Sequence, residues 1–293
     1  MRDTFVKTID IFLSKKSDLF LITGDLGFGI FDQFEKKFGK RYLNVGVAEQ
    51  NMIGVGTGIA LNNNKVFCYS IANFVFMRNL EQIRNGPLYH DLNLTLVCSG
   101  GGFTYGQLGF SHFAIEDYGI LSTFQKIDIL LPSTSEQVEL SVQYCIENKN
   151  VKYLRLEKEE FNFPTVSLIT NQTHSGKLGL QKYFSGNKKA ILAIGGLLKV
   201  IMDYNANLAP EDQFSVYSIT RMKDIYDPSF FEELSHYDEL YIYEEHVKQN
   251  SIGDKISSLG LNCKITLRSI DDGGPSIVGD QNYLRKLYQL IPN

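Results

Sequence analysis

One acidic side chain, Glu49, has neighbours that are unusual for a carboxylate. It follows an apolar run, Tyr42 to Val45, and a turn at Gly46, and it begins a segment with apolar residues at helical spacing. Most nearby residues are small or apolar, so the acid is either costly to bury or chemically useful. The plain alternative is a solvated acid at a helix start, where negative charge is favourable in any protein.

Two further side chains could take part in chemistry. His112 ends a glycine-rich loop, Ser99 to His112, that follows an apolar run from Leu92 to Cys98. An imidazole there could bond a sugar oxygen or move protons near neutral pH. Asp25 follows the short apolar run Leu19 to Thr23, at a strand end where open α/β sheets place ligands. Asp25 could equally cap a turn.

Three stretches of the chain resemble one known family. Residues 45–52 read Val-Gly-Val-Ala-Glu-Gln-Asn-Met and are followed by Gly-x-Gly-x-Ala at 56–60. Residues 81–85 read Glu-Gln-Ile-Arg-Asn, and residues 109–117 read Gly-Phe-Ser-His-Phe-Ala-Ile-Glu-Asp. Together they resemble the pyrimidine-binding domain of transketolases, and the likeness extends, more weakly, over essentially the whole chain.

The resemblance implies a thiamine diphosphate site and assigns residues to it. Glu49 would bond the aminopyrimidine ring and promote its imino form, and Phe74 would stack on that ring unless it is ordinary core. The cofactor would then move a two-carbon ketol unit from a ketose to an aldehyde, with His112 orienting substrate oxygens. The implied catalytic residues are Glu49 and His112, and the implied cofactor-binding residues are Glu49, Phe74, Asp25, Ile71 and Met77.

The substrate side of the site departs from the family pattern. Transketolases usually carry a histidine where Gly100 stands and an acidic pair where Gln107 and Leu108 stand. Leucine cannot accept a hydrogen bond from a sugar hydroxyl, so we expect a modified or nucleotide-linked sugar. The resemblance implies a substrate site of His112, Gln107, Leu108, Arg2 and Lys158. Its cations, Arg2 and Lys158 with Arg155 nearby, would bind a phosphate, or they are solvated surface charges.

The elements that must position these side chains form an α/β fold. Short apolar runs alternate with helical patterns, which predicts two doubly wound domains. The resemblance identifies them as a pyrimidine-binding domain at residues 1–165 and a smaller transketolase C-terminal domain at 187–293. Residues 161–186 mix Pro164 and several glycines with polar residues and lack strong periodicity, which predicts a linker at residues 166–186. Glu244, Glu245 and His246 resemble an acidic turn after the third strand of the second domain.

Composition narrows the class of protein. The chain has 293 residues, 43% of them hydrophobic and 21% charged, which suits a globular protein with real cores. A net charge of -4 argues against a nucleic-acid partner, and no apolar run is long enough for a membrane span. The four cysteines lack paired spacing, so we expect reduced thiols, no metal site and a cytoplasmic location.

The metal-binding Gly-Asp-Gly…Asn motif of transketolases is not found in the sequence. The resemblance therefore implies the C-terminal subunit of a split transketolase, with a separate N-terminal subunit that holds Mg²⁺ or Ca²⁺ and shares the cofactor. An α2β2 heterotetramer is expected. Two alternatives stay open: a β subunit of another thiamine enzyme, such as a 2-oxo acid dehydrogenase or a deoxyxylulose-phosphate synthase relative, and a non-catalytic scaffold.

Overall fold

Apolar runs in the first half of the chain form a six-stranded, fully parallel sheet. The computed structural model describes residues 1–27, 29–158, 160–169, 178–271 and 276–292. The strands run in the order β2-β1-β3-β4-β6-β5. Their bounds are β1 Leu19–Thr23, β2 Tyr42–Asn44, β3 Lys65–Ile71, β4 Leu94–Ser99, β5 Ile127–Leu130 and β6 Val151–Leu156.

Helices cover both faces of this sheet, because neighbouring residues of one strand point to opposite cores. Leu21 packs in one apolar cluster with Phe5 and Val138, whereas Ile22 packs in the other with Met52. The helices are α1 Arg2–Lys15, α2 Phe34–Phe38, α3 Glu49–Ala60, α4 Ala72–Phe76, α5 Leu80–Ile83, α6 Asp117–Leu121 and α7 Ser135–Glu147. Helix α7 is capped by Thr134, whose side chain accepts a hydrogen bond from the Gln137 N–H.

In the described ranges the second sheet also has six strands, in the order β12-β11-β9-β10-β8-β7. Its strands are β7 Ser167–Ile169, β8 Leu180–Phe184, β9 Lys189–Ala193, β10 Ser215–Ile219, β11 Glu239–Val247 and β12 Lys264–Ile270. The helices around it are α8 Leu197–Ala206, α9 Pro228–Leu234, α10 Ile252–Ser257 and α11 Gln281–Leu287. The predicted class, two doubly wound α/β domains, is confirmed.

Two sequence expectations for the second sheet are wrong. Strands β7 and β8 lie inside the interval 166–186 that was predicted to be a linker, and they pair antiparallel at the edge of the sheet. Glu244, Glu245 and His246 belong to strand β11 and do not form a turn after it. Both errors have one cause: edge strands and polar strand ends lack the continuous apolar pattern of buried parallel strands.

Candidate functional site

Glu49 is the first residue of α3 and lies at the carboxyl ends of β1, β2 and β3. Gly46 makes the turn into the helix with a φ of +73°, in the region that favours glycine. The residue is buried, with 3% of its surface exposed. A Cβ atom built on Gly24 would lie 3.4 Å from the Glu49 Cγ and 3.8 Å from the Ser70 Oγ. Glu49 thus points to the sheet edge where ligands of such folds bind.

The carboxylate of Glu49 is paired with a cation that sequence reasoning missed. The Arg78 Nη1 donates to the Glu49 Oε2 at 3.0 Å, and the Arg78 side chain is 44% exposed. The same guanidinium lies over Phe74, with its central carbon 4.1 Å from the ring centroid. One planar cation therefore contacts both the acid and the aromatic ring. The available signal was the spacing of Phe74 and Arg78, four residues apart in a helical segment.

His112 lies against the same aromatic ring. It ends a 3-10 turn, Phe110–His112, that follows Gly109 with a φ of +81°. The imidazole meets the Phe74 ring edge to face, with centroids 5.2 Å apart. The Asn73 Nδ2 donates to the Ser111 backbone oxygen at 3.2 Å, which holds this turn against α4. The structure therefore brings together Glu49, Phe74 and His112, which lie far apart in the sequence.

An open cleft of about 270 Å³ adjoins these residues. Burial, and next the charge of Asp117, raises the pKa of Glu116 to about 7. Within the described part of the chain, the buried Asn73 Oδ1 has no hydrogen-bond partner. The cleft thus combines an aromatic wall, a cation and an acid whose pKa is raised toward neutral pH. Its lining residues are Asn73, Phe74, Met77, Arg78, Phe110, Ser111, Phe113 and Glu116.

Asp25 and Ile71 lie at the same sheet edge as Glu49. Asp25 adopts a φ of +57°, and the Asn44 Oδ1 accepts from its backbone N–H at 3.0 Å. The Asn44 Nδ2 donates to the Asp25 Oδ1 at 3.2 Å, so Asp25 has the turn geometry that was its alternative role. Ile71 ends β3 and is half-buried. Cofactor contacts of these residues and of Met77 stay predictions.

The predicted substrate residues have varied surroundings. Gln107 and Leu108 are exposed, Leu108 by 58%. Arg2 pairs with Asp3 at 3.2 Å, and Lys158 is exposed, so a phosphate role for both stays a prediction. Arg155 is different, because it is only 3% exposed.

The suggestion that Arg155 supplies a phosphate-binding cation is wrong. Its Nε lies 3.0 Å from the Asp117 Oδ2. Its Nη2 donates to the backbone oxygens of Ala114, at 2.8 Å, and Glu245, at 3.1 Å. The guanidinium is therefore used within the protein, where it joins the first sheet region to β11.

The glycine-rich loop is shaped by this junction and by one aromatic ring. A Cβ atom on Gly100 would lie 2.2 Å from the Tyr105 Cε2, so the Tyr105 ring leaves no room for a side chain at Gly100. A Cβ on Gly101 would lie 2.0 Å from the Arg155 Nε, and one on Gly102 would lie 2.0 Å from a Glu245 carboxylate oxygen. The loop is glycine-rich because buried side chains approach its backbone.

Strand β11 supplies three buried polar groups to the junction. Glu244 accepts from the Tyr118 hydroxyl at 2.7 Å and from the N–H groups of Ile252 and Gly253 at the start of α10. Glu245 binds the Phe103 N–H at 2.9 Å and pairs with Arg285. These contacts give the two acids of the Glu244-Glu245-His246 run a structural role.

His246 is held as a neutral imidazole. Its Nδ1–H donates to the Val247 backbone oxygen at 2.6 Å, and its Nε2 accepts from the Gly119 N–H at 3.1 Å. The ring stacks on Tyr118 with centroids 3.8 Å apart. Burial lowers the pKa of His246 to about 4.

Comparison with known proteins decides the family. The model for the transketolase pyrimidine-binding domain matches residues 1–164, more than half of the chain. This chain belongs to the transketolase family. A solved structure titled "Split gene transketolase, inactive beta4 tetramer" superimposes with a TM-score of 0.82 at 20% identity, covering 99% of this chain and 93% of that one. The identification as a transketolase-like transferase of the split-subunit kind is confirmed, and thiamine diphosphate is the cofactor that this family implies.

Named relatives differ in how much they share with this transketolase-family chain. An apulose-4-phosphate transketolase subunit of Actinobacillus succinogenes is 26% identical over 258 residues, which cover 86% of this chain and 82% of the relative. The putative transketolase C-terminal section of Methanocaldococcus jannaschii is 32% identical over 161 residues, 55% of this chain and 51% of the relative. A 6-deoxy-6-sulfo-D-fructose transketolase subunit of a Clostridium species is 27% identical over 180 residues, which cover 58% of this chain and 56% of the relative.

The site residues fit the aminopyrimidine of the family's cofactor. Glu49 offers a buried carboxylate as a hydrogen-bond acceptor, and Phe74 offers a ring face; a planar, nitrogen-bearing cation already contacts both. A protonated aminopyrimidine has the same combination of shape, charge and donors. The Ser70 Oγ, buried near Glu49, has no hydrogen-bond partner among the residues that the structure describes. Across the described ranges, no group of three or more His, Cys, Asp or Glu side chains could hold a metal ion.

Proposed function

We propose that this chain is the C-terminal subunit of a thiamine-diphosphate-dependent transketolase that moves a two-carbon ketol unit from a ketose donor to an aldehyde acceptor. One observation carries the proposal: Glu49 and Phe74 converge on a single planar cation, with His112 against the same ring. An aminopyrimidine ring needs an acid and an aromatic ring face, and a neighbouring sugar needs a hydrogen-bonding group such as an imidazole. All three groups lie around one point here.

Each of these residues has one task in the proposed enzyme. Glu49 holds or returns a proton at the ring nitrogen that it bonds. Phe74 fixes the plane of that ring through its face. His112 hydrogen-bonds a substrate oxygen and can exchange a proton with it. The bound cofactor supplies the nucleophilic carbon and stabilises the transferred unit.

We further propose a modified sugar as a substrate. Tyr105 fills the space above Gly100, and Leu108 presents an apolar side chain that is 58% exposed where the family places an acid. A sugar hydroxyl buried against leucine without a partner costs roughly 1–3 kcal/mol. The names of two relatives, which act on apulose 4-phosphate and 6-deoxy-6-sulfo-D-fructose, support a departure from unmodified sugars.

The proposal includes a partner. A separate N-terminal subunit binds the diphosphate and its Mg²⁺ or Ca²⁺, and the two chains assemble as an α2β2 heterotetramer in the cytoplasm. Support comes from the relatives that are named as transketolase subunits and from the solved split-gene structure, a β-only tetramer described as inactive. No helix of the described residues is long and apolar enough to cross a membrane.

The test is reconstitution with the N-terminal subunit. Ketose cleavage and product formation are followed for this chain alone, for the partner alone and for the mixture. Turnover with an aldehyde acceptor in the mixture alone supports the proposal, and the single chains should bind magnesium thiamine diphosphate weakly. Turnover of a 2-oxo acid in place of a ketose would favour another thiamine enzyme. Assembly without any turnover would favour the scaffold alternative.

A further inference from the structure

The Arg78 guanidinium occupies both contacts that the proposed function assigns to the cofactor ring. It donates to the Glu49 Oε2 at 3.0 Å and lies 4.1 Å from the Phe74 ring centroid. A guanidinium is flat, delocalised and rich in N–H donors, and it stacks on aromatic faces. In these respects it resembles a protonated aminopyrimidine. The two groups cannot share the same side of Phe74 and the same carboxylate oxygen.

We propose that Arg78 is a positioning residue that fills the aminopyrimidine site from within the chain and withdraws when the ring binds. The inference rests on the proposed function, because it takes the ring to be the entering ligand. Arg78 then sets how tightly the site holds the cofactor. The apparent affinity is reduced by the fraction of molecules in which Arg78 occupies the site.

Burial explains why the site needs such a residue. The Glu49 side chain is only 4% exposed, and a buried charge without a partner is costly. Arg78 removes that cost while the subunit lacks the ring. Once a cationic ring takes over the carboxylate, the need for Arg78 ends.

The geometry also allows the Arg78 side chain to leave Glu49 and Phe74. Its side chain is 44% exposed and lines the open cleft, so the head group can move into water without displacing the core. Glu116 lines the same cleft and offers a second carboxyl group. We expect Arg78 to turn toward Glu116 when it leaves Glu49.

The test compares cofactor affinity in assembled complexes by calorimetric titration with magnesium thiamine diphosphate. Arg78→Met removes the competing cation and should tighten binding by up to about 5-fold, the upper end of the range for an exposed ion pair. Arg78→Lys keeps the charge without the flat fork and should tighten binding less. Arg84→Met is the matched control, because Arg84 is an exposed arginine of the next helical turn, and it should leave the affinity unchanged.

A second readout uses the chain without partner or cofactor. Arg78→Met should lower the melting temperature of the wild-type chain but not that of a Glu49→Gln chain, where no buried charge needs a partner. Unchanged or weaker cofactor binding by Arg78→Met would overturn the inference, because Arg78 would then stay in the loaded site. If the wild-type complex itself fails to bind the cofactor, the proposed function fails instead, so the two failures are distinguishable.

Discussion

The His112 imidazole meets the Phe74 ring edge to face, with centroids 5.2 Å apart and planes at 65°. This contact joins the turn before α6 to helix α4. The residue proposed to orient the substrate and the residue proposed to stack on the cofactor are therefore one packed unit. Moving one ring would shift the other, so in the proposed enzyme this contact would couple the positions of substrate and cofactor.

His112→Gln tests the proton-handling part of this unit. Gln keeps hydrogen-bonding capacity but cannot exchange a proton near neutral pH, so kcat of the assembled enzyme should fall about a hundredfold or more. Cofactor affinity and assembly should stay close to wild type. Steady-state rates check this, with His90→Gln as the control, since His90 is an exposed histidine packed on Tyr89. A decrease in kcat smaller than threefold would show that His112 takes no part in the chemistry.

Leu108→Asp tests the substrate preference. The acid would accept a hydrogen bond from a sugar hydroxyl, so kcat/KM for xylulose 5-phosphate with ribose 5-phosphate should rise about tenfold to a hundredfold. Leu61→Asp is the matched control, because Leu61 is exposed to a similar degree, 53% against 58%. Efficient use of the pentose phosphates by the wild-type enzyme, above about 10⁴ M⁻¹s⁻¹, would contradict the proposed substrate class.

His246 should make stability depend on pH. Burial lowers its pKa from 6.5 to about 4, so between these values the unfolded chain binds a proton that the folded chain does not. The contribution of His246 to the free energy of unfolding is present above pH 6.5 and should fall by about 3 kcal/mol toward pH 4. The contribution of Glu116 to the free energy of unfolding has the opposite pH dependence. Because its pKa is raised to about 7 in the folded chain, this contribution decreases as the pH rises.

The difference between wild type and His246→Gln isolates this contribution. Urea unfolding at several pH values from 7.5 to about 4.5 should show the wild-type advantage shrinking as the pH falls. A difference that stays constant over this interval would mean that His246 takes up a proton in the folded protein as readily as in the unfolded chain.

Arg155→Met should strongly destabilise the chain. It leaves the Asp117 carboxylate, which is fully buried, without its cation, at a cost of about 3–5 kcal/mol. The Arg155→Met, Asp117→Asn double variant should recover much of the loss. Lys37→Met breaks the exposed pair with Asp10 and should cost less than about 1 kcal/mol in the same denaturation experiment. Similar losses for both single variants would argue against a buried ionic junction.

The sequence allowed prediction of those site residues that local motifs position. Glu49 follows a continuous apolar run, so its place at the sheet edge could be read from the pattern, whereas the position of Phe74 was predicted from the resemblance to the family. Arg78 was not predicted as a site residue, because an arginine in a helical segment resembles a solvated charge. Its partner, Glu49, lies 29 residues away in the sequence. Such pairing depends on how strands are ordered in the sheet, which local periodicity does not encode.

The junction between the two sheets shows the same limit. Arg155 resembled a surface cation near a strand end, but its partners come from Asp117 and from β11, 90 residues later. Glu244, Glu245 and His246 broke the apolar pattern of β11, so they suggested a turn. They remain in the strand because each polar group finds a buried partner, which only the folded chain provides.

Glu49→Gln in the assembled enzyme tests the central claim most directly, because Gln is nearly isosteric but cannot hold or return the proton. Calorimetry and size-exclusion chromatography should show that the variant folds and binds the N-terminal subunit. Steady-state ketol transfer should then be at least about a hundredfold slower than in the wild-type complex. Transfer rates close to wild type in a properly assembled Glu49→Gln complex would contradict the account.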